Sequence, residues 1–141
     1  MIQIGRFMIG DWVLFTDPDE GVREYHQIEA ADYGQDERYY KCFDPIPITS
    51  DILKANGGYI VEVGDKGPAT PKVNFMRYEK WQLVTKWNTA VMYYDRTTRH
   101  WILQGVNAVN LDYVYELQHA LRFVHLDDLA DNFKIEEGGL I

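Results

Sequence analysis

The sequence predicts an α+β fold. A small β-rich unit of SH3-like barrel type is expected over residues 1–44. A helix–antiparallel sheet–helix unit follows over 45–141, either separate or sharing one core. Three observations carry this expectation. Runs rich in aromatic and β-branched residues recur between turn signals, as in "DWVLFT", "YIVEV" and "AVMYY". The stretch "DPIPIT" (44–49) sets two prolines two residues apart, which holds the chain extended and outside a regular ladder. One amphipathic helical period appears late, over "LDYVYELQHALRFVH" (111–125).

Taken in order, "DWVLFT" (11–16) is apolar on both faces, as a doubly covered strand is. "DPDEG" (17–21) has turn chemistry. "VREYHQIEAADYG" (22–34) and "RYYKCF" (38–43) read as further strands of the barrel. After the proline link, Thr49 or Ser50 can cap a short helix over 50–56, with Gly57 as its left-handed stop. "YIVEV" (59–63) is a strand and "GDKGPATP" (64–71) a loop. "KVNFMRY" (72–78) and "WQLVTKW" (81–87) are strands or one bent strand. "AVMYY" (90–94) and "HWILQG" (100–105) flank the hairpin connection "DRTTR". Asn110 then caps a helix from 111 to about 125, and a short turn around 127–131 leads to an acidic tail.

Composition narrows the function classes. Hydrophobic residues make up 46% of the 141 and aromatics 14%, which is the composition of a folded chain. One cysteine, Cys42, excludes an internal disulfide. The opening "MIQIGRFMIGDWVLF" is broken by Arg6 and Asp11, so it makes neither a leader nor a span, and the expectation is a soluble cytoplasmic protein with no membrane contact. The net charge of −8 disfavours general nucleic-acid binding. It is uneven, however: residues 66–99 hold seven Lys/Arg against two Asp/Glu, whereas residues 1–48 hold four against ten.

The stretch "YELQHALRFVH" (115–125) matches the zinc-protease pattern H-E-x-x-H-x-x-G-x-x-H at its Glu, second His and third His. Tyr115 replaces the first His, and Arg122 replaces the Gly at which the chain must leave the helix. A phenol titrating near 10 is a poor zinc ligand at neutral pH. With the helix continuing, His125 lies about 9 Å beyond His119 and about 120° round from it. No metal site is therefore expected. On a helical wheel Tyr113, Val114, Leu117, Ala120, Leu121 and Val124 form an apolar arc, and Tyr115, His119 and Arg122 are expected together on an exposed face.

"IGDWVLF", "PIPITSDILKANGG" and "YVYELQHALRF" together resemble an uncharacterised family of small bacterial proteins carried on prophages and other mobile elements. The three segments cover about a quarter of the chain, in the family's order. Gly58 stands where the family has Phe, and Tyr115 where it usually has His. The resemblance implies a shared layout and a mobile-element context, and it implies no activity.

The other motifs fail on chemistry. "DPDEG" is no EF-hand, because the twelfth residue from Asp17 is Ile28 rather than Glu. "GDKGPATPK" lacks the phosphate-loop order, and no G-x-S-x-G occurs. The remaining candidate is a basic and aromatic surface of Lys72, Arg77, Tyr78, Lys80, Trp81, Lys86, Trp87, Arg96 and Arg99, with cations for phosphates and rings for bases. The sequence thus predicts no catalytic residue and no cofactor. It predicts a non-catalytic accessory protein that contacts another protein, with nucleic-acid contact through 72–99 or acidic mimicry of DNA as the alternatives.

Overall fold

Residues 7–34, 39, 41–64, 77–106 and 110–135 are described by the computed structural model. Strand β1 (Trp12–Thr16) is the centre of a three-stranded antiparallel sheet, between β2 (Arg23–Gln27) and β3 (Phe43–Asp44). The second sheet is an antiparallel meander of β4 (Gly58–Gly64), β5 (Tyr78–Val84), β6 (Thr89–Asp95) and β7 (His100–Leu103). Helix α1 (Ser50–Ala55) precedes this meander; α2 (Val114–Phe123) and α3 (Asp127–Asp131) follow it. The α+β class with antiparallel sheets is therefore as expected. No helix among the described residues is long and apolar enough to cross a membrane.

Among the described residues neither sheet closes, so the SH3-like barrel is not confirmed. The expected strand 22–34 ends at Gln27, and Ala30–Gly34 form a 3-10 helix instead. The Asp32 carboxylate explains the break. It accepts from the Glu29 amide at 2.7 Å, which offers the backbone a local bond in place of a ladder. Of the expected strand 38–43, residues 38 and 40 lie outside the described residues; Phe43 pairs with β1 and Cys42 O accepts the Thr16 amide at 3.0 Å, while the Cys42 amide turns back to Tyr39 O.

The proline link acts as a strand without being one. Pro45 and Pro47 have no N–H to give, so the pairing uses the groups beside them: Val114 N–H donates to Ile46 O at 2.8 Å, and Ile48 N–H to Asp112 O at 3.0 Å. This lays the link against the entrance to α2. It also explains why α2 begins at Val114 rather than 111. Leu111 is held by Trp101 and Tyr113 by Pro47, and Glu116 Oε1 accepts the free amides of Asp112 and Tyr113 at 3.1 Å each. The expected turn at 127–131 is helical, and Asn88 of the β5–β6 turn fastens it by donating to Asp128.

Thr49 caps α1 as expected, accepting from the Ile52 amide. Gly57 follows at φ +83°, where a Cβ would meet the Val84 carbonyl oxygen at 2.6 Å. Gly58 is equally closed, since a Cβ would lie 2.6 Å from Leu53 O. The main core lies between the meander and α2, and joins Leu53, Trp81, Leu83, Met92 and Leu103 to Leu117, Leu121 and Leu129. Leu14 of β1 belongs to the same cluster. A second cluster, with Phe7, Val13, Ile28 and Phe43, ends on Tyr115 of α2.

Gly57→Ala is expected to destabilise by about 2–3 kcal/mol, combining the left-handed backbone with backbone overlap. Gly21→Ala, also at positive φ but in open space, should lose only about 1 kcal/mol. Urea denaturation of both variants checks the difference.

Candidate functional site

The N-terminal loop and α2 meet around one carboxylate. Gly10, at φ +95°, closes a tight turn in which Asp11 N–H donates to Met8 O and Asp11 Oδ2 accepts the Met8 N–H at 2.7 Å. The turn drives Asp11 inward until it is 0% exposed. A buried carboxylate is costly unless charge and hydrogen bonds surround it. Here Oδ2 faces His119 Nε2 at 2.5 Å, and Oδ1 accepts from Arg122 Nη1 at 3.0 Å. Arg122 also reaches Asp131 of α3 at 3.4 Å.

Gln118 completes the junction. It is wholly buried, and its carbonyl oxygen accepts the Trp12 amide at 2.9 Å. Its Nε2 donates to Gly10 O at 3.0 Å and Ala130 O at 3.1 Å. One donor and two acceptors fix the orientation of the amide. A single side chain thus ties β1, the N-terminal turn and α3 to α2.

The expected exposed face of Tyr115, His119 and Arg122 is therefore corrected. Tyr115 is 8% exposed and packs edge-on against Phe7 at 5.0 Å. His119 and Arg122 lie under the N-terminal turn and hold Asp11. Helix α2 is covered on two sides: the predicted apolar arc meets the meander, and the opposite side meets β1 and its leading loop. Val114, Leu117, Ala120 and Leu121 of the arc are buried, while Tyr113 and Val124 are half-buried.

His119 gives Nε2 to Asp11, and His125 falls beyond the helix at φ +65°. Among the described residues no group of three His, Cys, Asp or Glu side chains could hold a metal ion. The Asp11–His119 pair has the form of a catalytic dyad, but no hydroxyl or thiol among the described residues is hydrogen-bonded to His119.

A second buried carboxylate stabilises the N-terminal sheet. Asp32 accepts from Tyr39 at 2.6 Å and the Glu29 amide, and pairs with His26 at 2.9 Å. Burial pushes its carboxyl up, but the hydrogen bonds from Tyr39, Glu29 and His26 outweigh that and leave it below the ordinary carboxylate value. Burial and the bond to Asp32 hold the Tyr39 phenol well above its usual range.

The basic and aromatic residues do not form one surface. Tyr78 and Trp81 are buried, Trp81 in the main core at 1% exposure, so neither ring can stack on a base. Lys86 and Trp87 are exposed in the β5–β6 turn, with the ammonium 5.0 Å from the Trp87 ring centroid. Arg96 and Arg99 lie in the β6–β7 turn, near Arg77. The two turns are at opposite ends of β6, about 20 Å apart. Lys80 is half-buried between them, and Lys72 is outside the described residues.

One open feature remains beside α2. A groove of about 450 Å³ is lined by Val106, Leu111, Tyr115, Glu116, His119, Ala120 and Phe123, and its walls are mostly apolar. Phe123 stands at its edge 74% exposed. The sequence reading missed Asp11 as an anchor, and it missed Gln118, Asp32 and the groove. A lone acid inside "FMIGDWVLF" and a glutamine beside the apolar arc were the available signals for the first two.

In comparisons with protein-family models, with curated proteins and with solved structures, nothing matches this chain.

Asp11→Asn should cost about 3 kcal/mol, near the low end for breaking a buried pair because His119 and Arg122 keep some solvent. Asp17→Asn in the exposed turn should change the urea midpoint far less. For Asp32 the folded carboxyl titrates below its unfolded value of 3.8, so its contribution is present above that pH and disappears as pH falls through the folded value. The loss of stability between pH 5 and pH 2 should therefore be smaller in Asp32→Asn than in the parent, as measured by urea midpoints at both pH values.

Proposed function

We propose that the protein is a non-catalytic interaction module of a mobile genetic element, and that it binds a protein partner through the groove along α2. The observation that carries this reading is Phe123: a large ring, mostly in water, at the rim of an apolar groove. Exposed apolar surface gathered at a concavity favours burial against a partner, whereas scattered exposed side chains carry no such meaning. The buried carboxylates support the same reading, because Asp11, Asp32 and Asp95 are each engaged by several donors from the protein itself. The mobile-element context rests on the three-segment resemblance.

A photo-crosslinking residue at position 123, in cells of the natural source, is expected to give a discrete protein adduct. The same residue at Lys54, exposed on α1, is expected to give none. No adduct at 123, or equal adducts at both positions, would refute the reading.

The cluster of Arg77, Arg96 and Arg99 at one end of the meander favours nucleic-acid contact as a second reading. Glu79 lies only 3.9 Å from Arg96 and offsets part of that charge. If this reading is right, Arg99→Glu weakens a gel shift of single-stranded DNA or RNA, and added salt weakens it further. Absence of a shift at low salt removes it.

A further inference from the structure

We propose that the outer edge of β4 binds an extended segment of another protein as a fifth strand of the meander, a segment apolar on one face and cationic on the other. This edge lies across the sheet from β7 and Leu111, so it is separate from the α2 groove and does not depend on it.

A strand edge presents a row of amides and carbonyls that water or another strand must satisfy, and proteins ordinarily blunt it. Among the described residues, three of the four sheet edges are blunted. β2 carries the exposed charges of Arg23 and Glu24, and β3 is only two residues long. β7 is covered by the chain that follows it, Trp101 and Leu111 exchanging both backbone hydrogen bonds at 3.2 and 2.7 Å. β4 is the exception. It runs for seven residues without a proline or a lysine, and its outer edge pairs with nothing among the described residues. Tyr59, Ile60, Val61 and Val63 are all exposed, Val63 at 55%.

Pairing with β5 fixes which side each residue takes, because residues directly opposite in neighbouring strands share a face. Ile60 lies opposite Trp81, and Val63 opposite Glu79, whose carboxylate accepts from Trp81 Nε1. Both therefore stand on the side of the main core, although three residues apart, because the bulge between Ile60 and Glu62 inserts one residue. Tyr59 opposite Gln82 and Glu62 opposite Lys80 stand on the other side. An added strand thus meets aliphatic side chains on one face, and a ring and a carboxylate on the other. Alternation sets its pattern: apolar residues beside Ile60 and Val63, and cations beside Tyr59 and Glu62.

Charge decides between this occupant and a second copy. Glu62 Oε1 accepts from Tyr78 OH at 2.8 Å, and no cation pairs with its carboxylate among the described residues. Two β4 edges side by side would bring together two such carboxylates on chains of net charge −8 and supply a cation to neither. A basic segment is attracted both by Glu62 and by the whole chain. The bulge also twists the edge, which suits one short segment rather than open-ended stacking of flat strands.

Fluorescence anisotropy of a labelled peptide of alternating valine and lysine, titrated with the full chain, tests this. The peptide should bind with a dissociation constant below about 1 mM, and a peptide of alternating valine and glutamate should not bind. Ile60→Lys and Val63→Lys, both at exposed positions, should leave the melting temperature unchanged and weaken binding about tenfold or more. Glu62→Gln, which keeps an acceptor for Tyr78, should weaken it less and flatten its dependence on salt. Phe123→Asp should leave it unchanged. Absence of binding at about 1 mM, equal binding of the two peptides, or binding that Val63→Lys leaves intact overturns the proposal. So does a concentration-dependent dimer that Val63→Lys abolishes, because a second copy then occupies the edge. Binding lost in Phe123→Asp also overturns it, by placing the peptide in the α2 groove.

Discussion

Asp11 is the constraint on which much of this structure depends. A carboxylate placed entirely out of water needs its donors in position before it can be buried, and they come from different parts of the chain. Met8 supplies an amide from the same turn, and α2 supplies His119 and Arg122 from more than a hundred residues away. Gln118 on the same helix binds the backbone on either side of Asp11, at Gly10 and Trp12. The N-terminal sheet therefore cannot shift along α2 without leaving a buried charge and a buried amide unmatched.

That constraint gives three separate stretches of the sequence a common physical meaning. "IGDWVLF" supplies the carboxylate turn and β1, "PIPITSDILKANGG" supplies the paired link and α1, and "YVYELQHALRF" is α2. Although far apart in sequence, they meet at one helix: Ile46 and Ile48 bond to its entrance and Asp11 to its middle. What the segments share is a junction, and its groups are occupied with holding the chain together. The part of α2 that the junction does not cover is the flank where Phe123 meets the groove.

Legibility from the sequence followed the range of the interactions. Local signals were read correctly: the turn at 17–21, the Thr49 cap, the strand "YIVEV" and the hairpin at "DRTTR" all depend on neighbours in sequence. The errors came where a distant partner overrides the local pattern. The helical wheel gave α2 one apolar side and so set Tyr115, His119 and Arg122 in water, because the wheel contains nothing of a carboxylate 108 residues away. Residues 28–34 are the exception, misread for a local reason: their composition is strand-like, yet the Asp32 side chain three residues on from Glu29 turns the backbone aside. Trp81 and Tyr78 have the composition of a stacking surface, but alternation along β5 points both into packed layers. The groove had no sequence signal, since it arises from the space between α2 and the chain leaving β7.

We infer from this junction that the two sheets and α2 form one cooperative unit rather than two domains joined by the proline link. Native-state hydrogen exchange tests that claim most directly. The Trp12 amide, bonded to Gln118, and the Ile28 amide, bonded to Asp11 O, should exchange with the same opening free energy as Val114 and Leu117 in α2. Trp12 and Ile28 opening at a clearly lower free energy, with α2 still protected, would contradict the account.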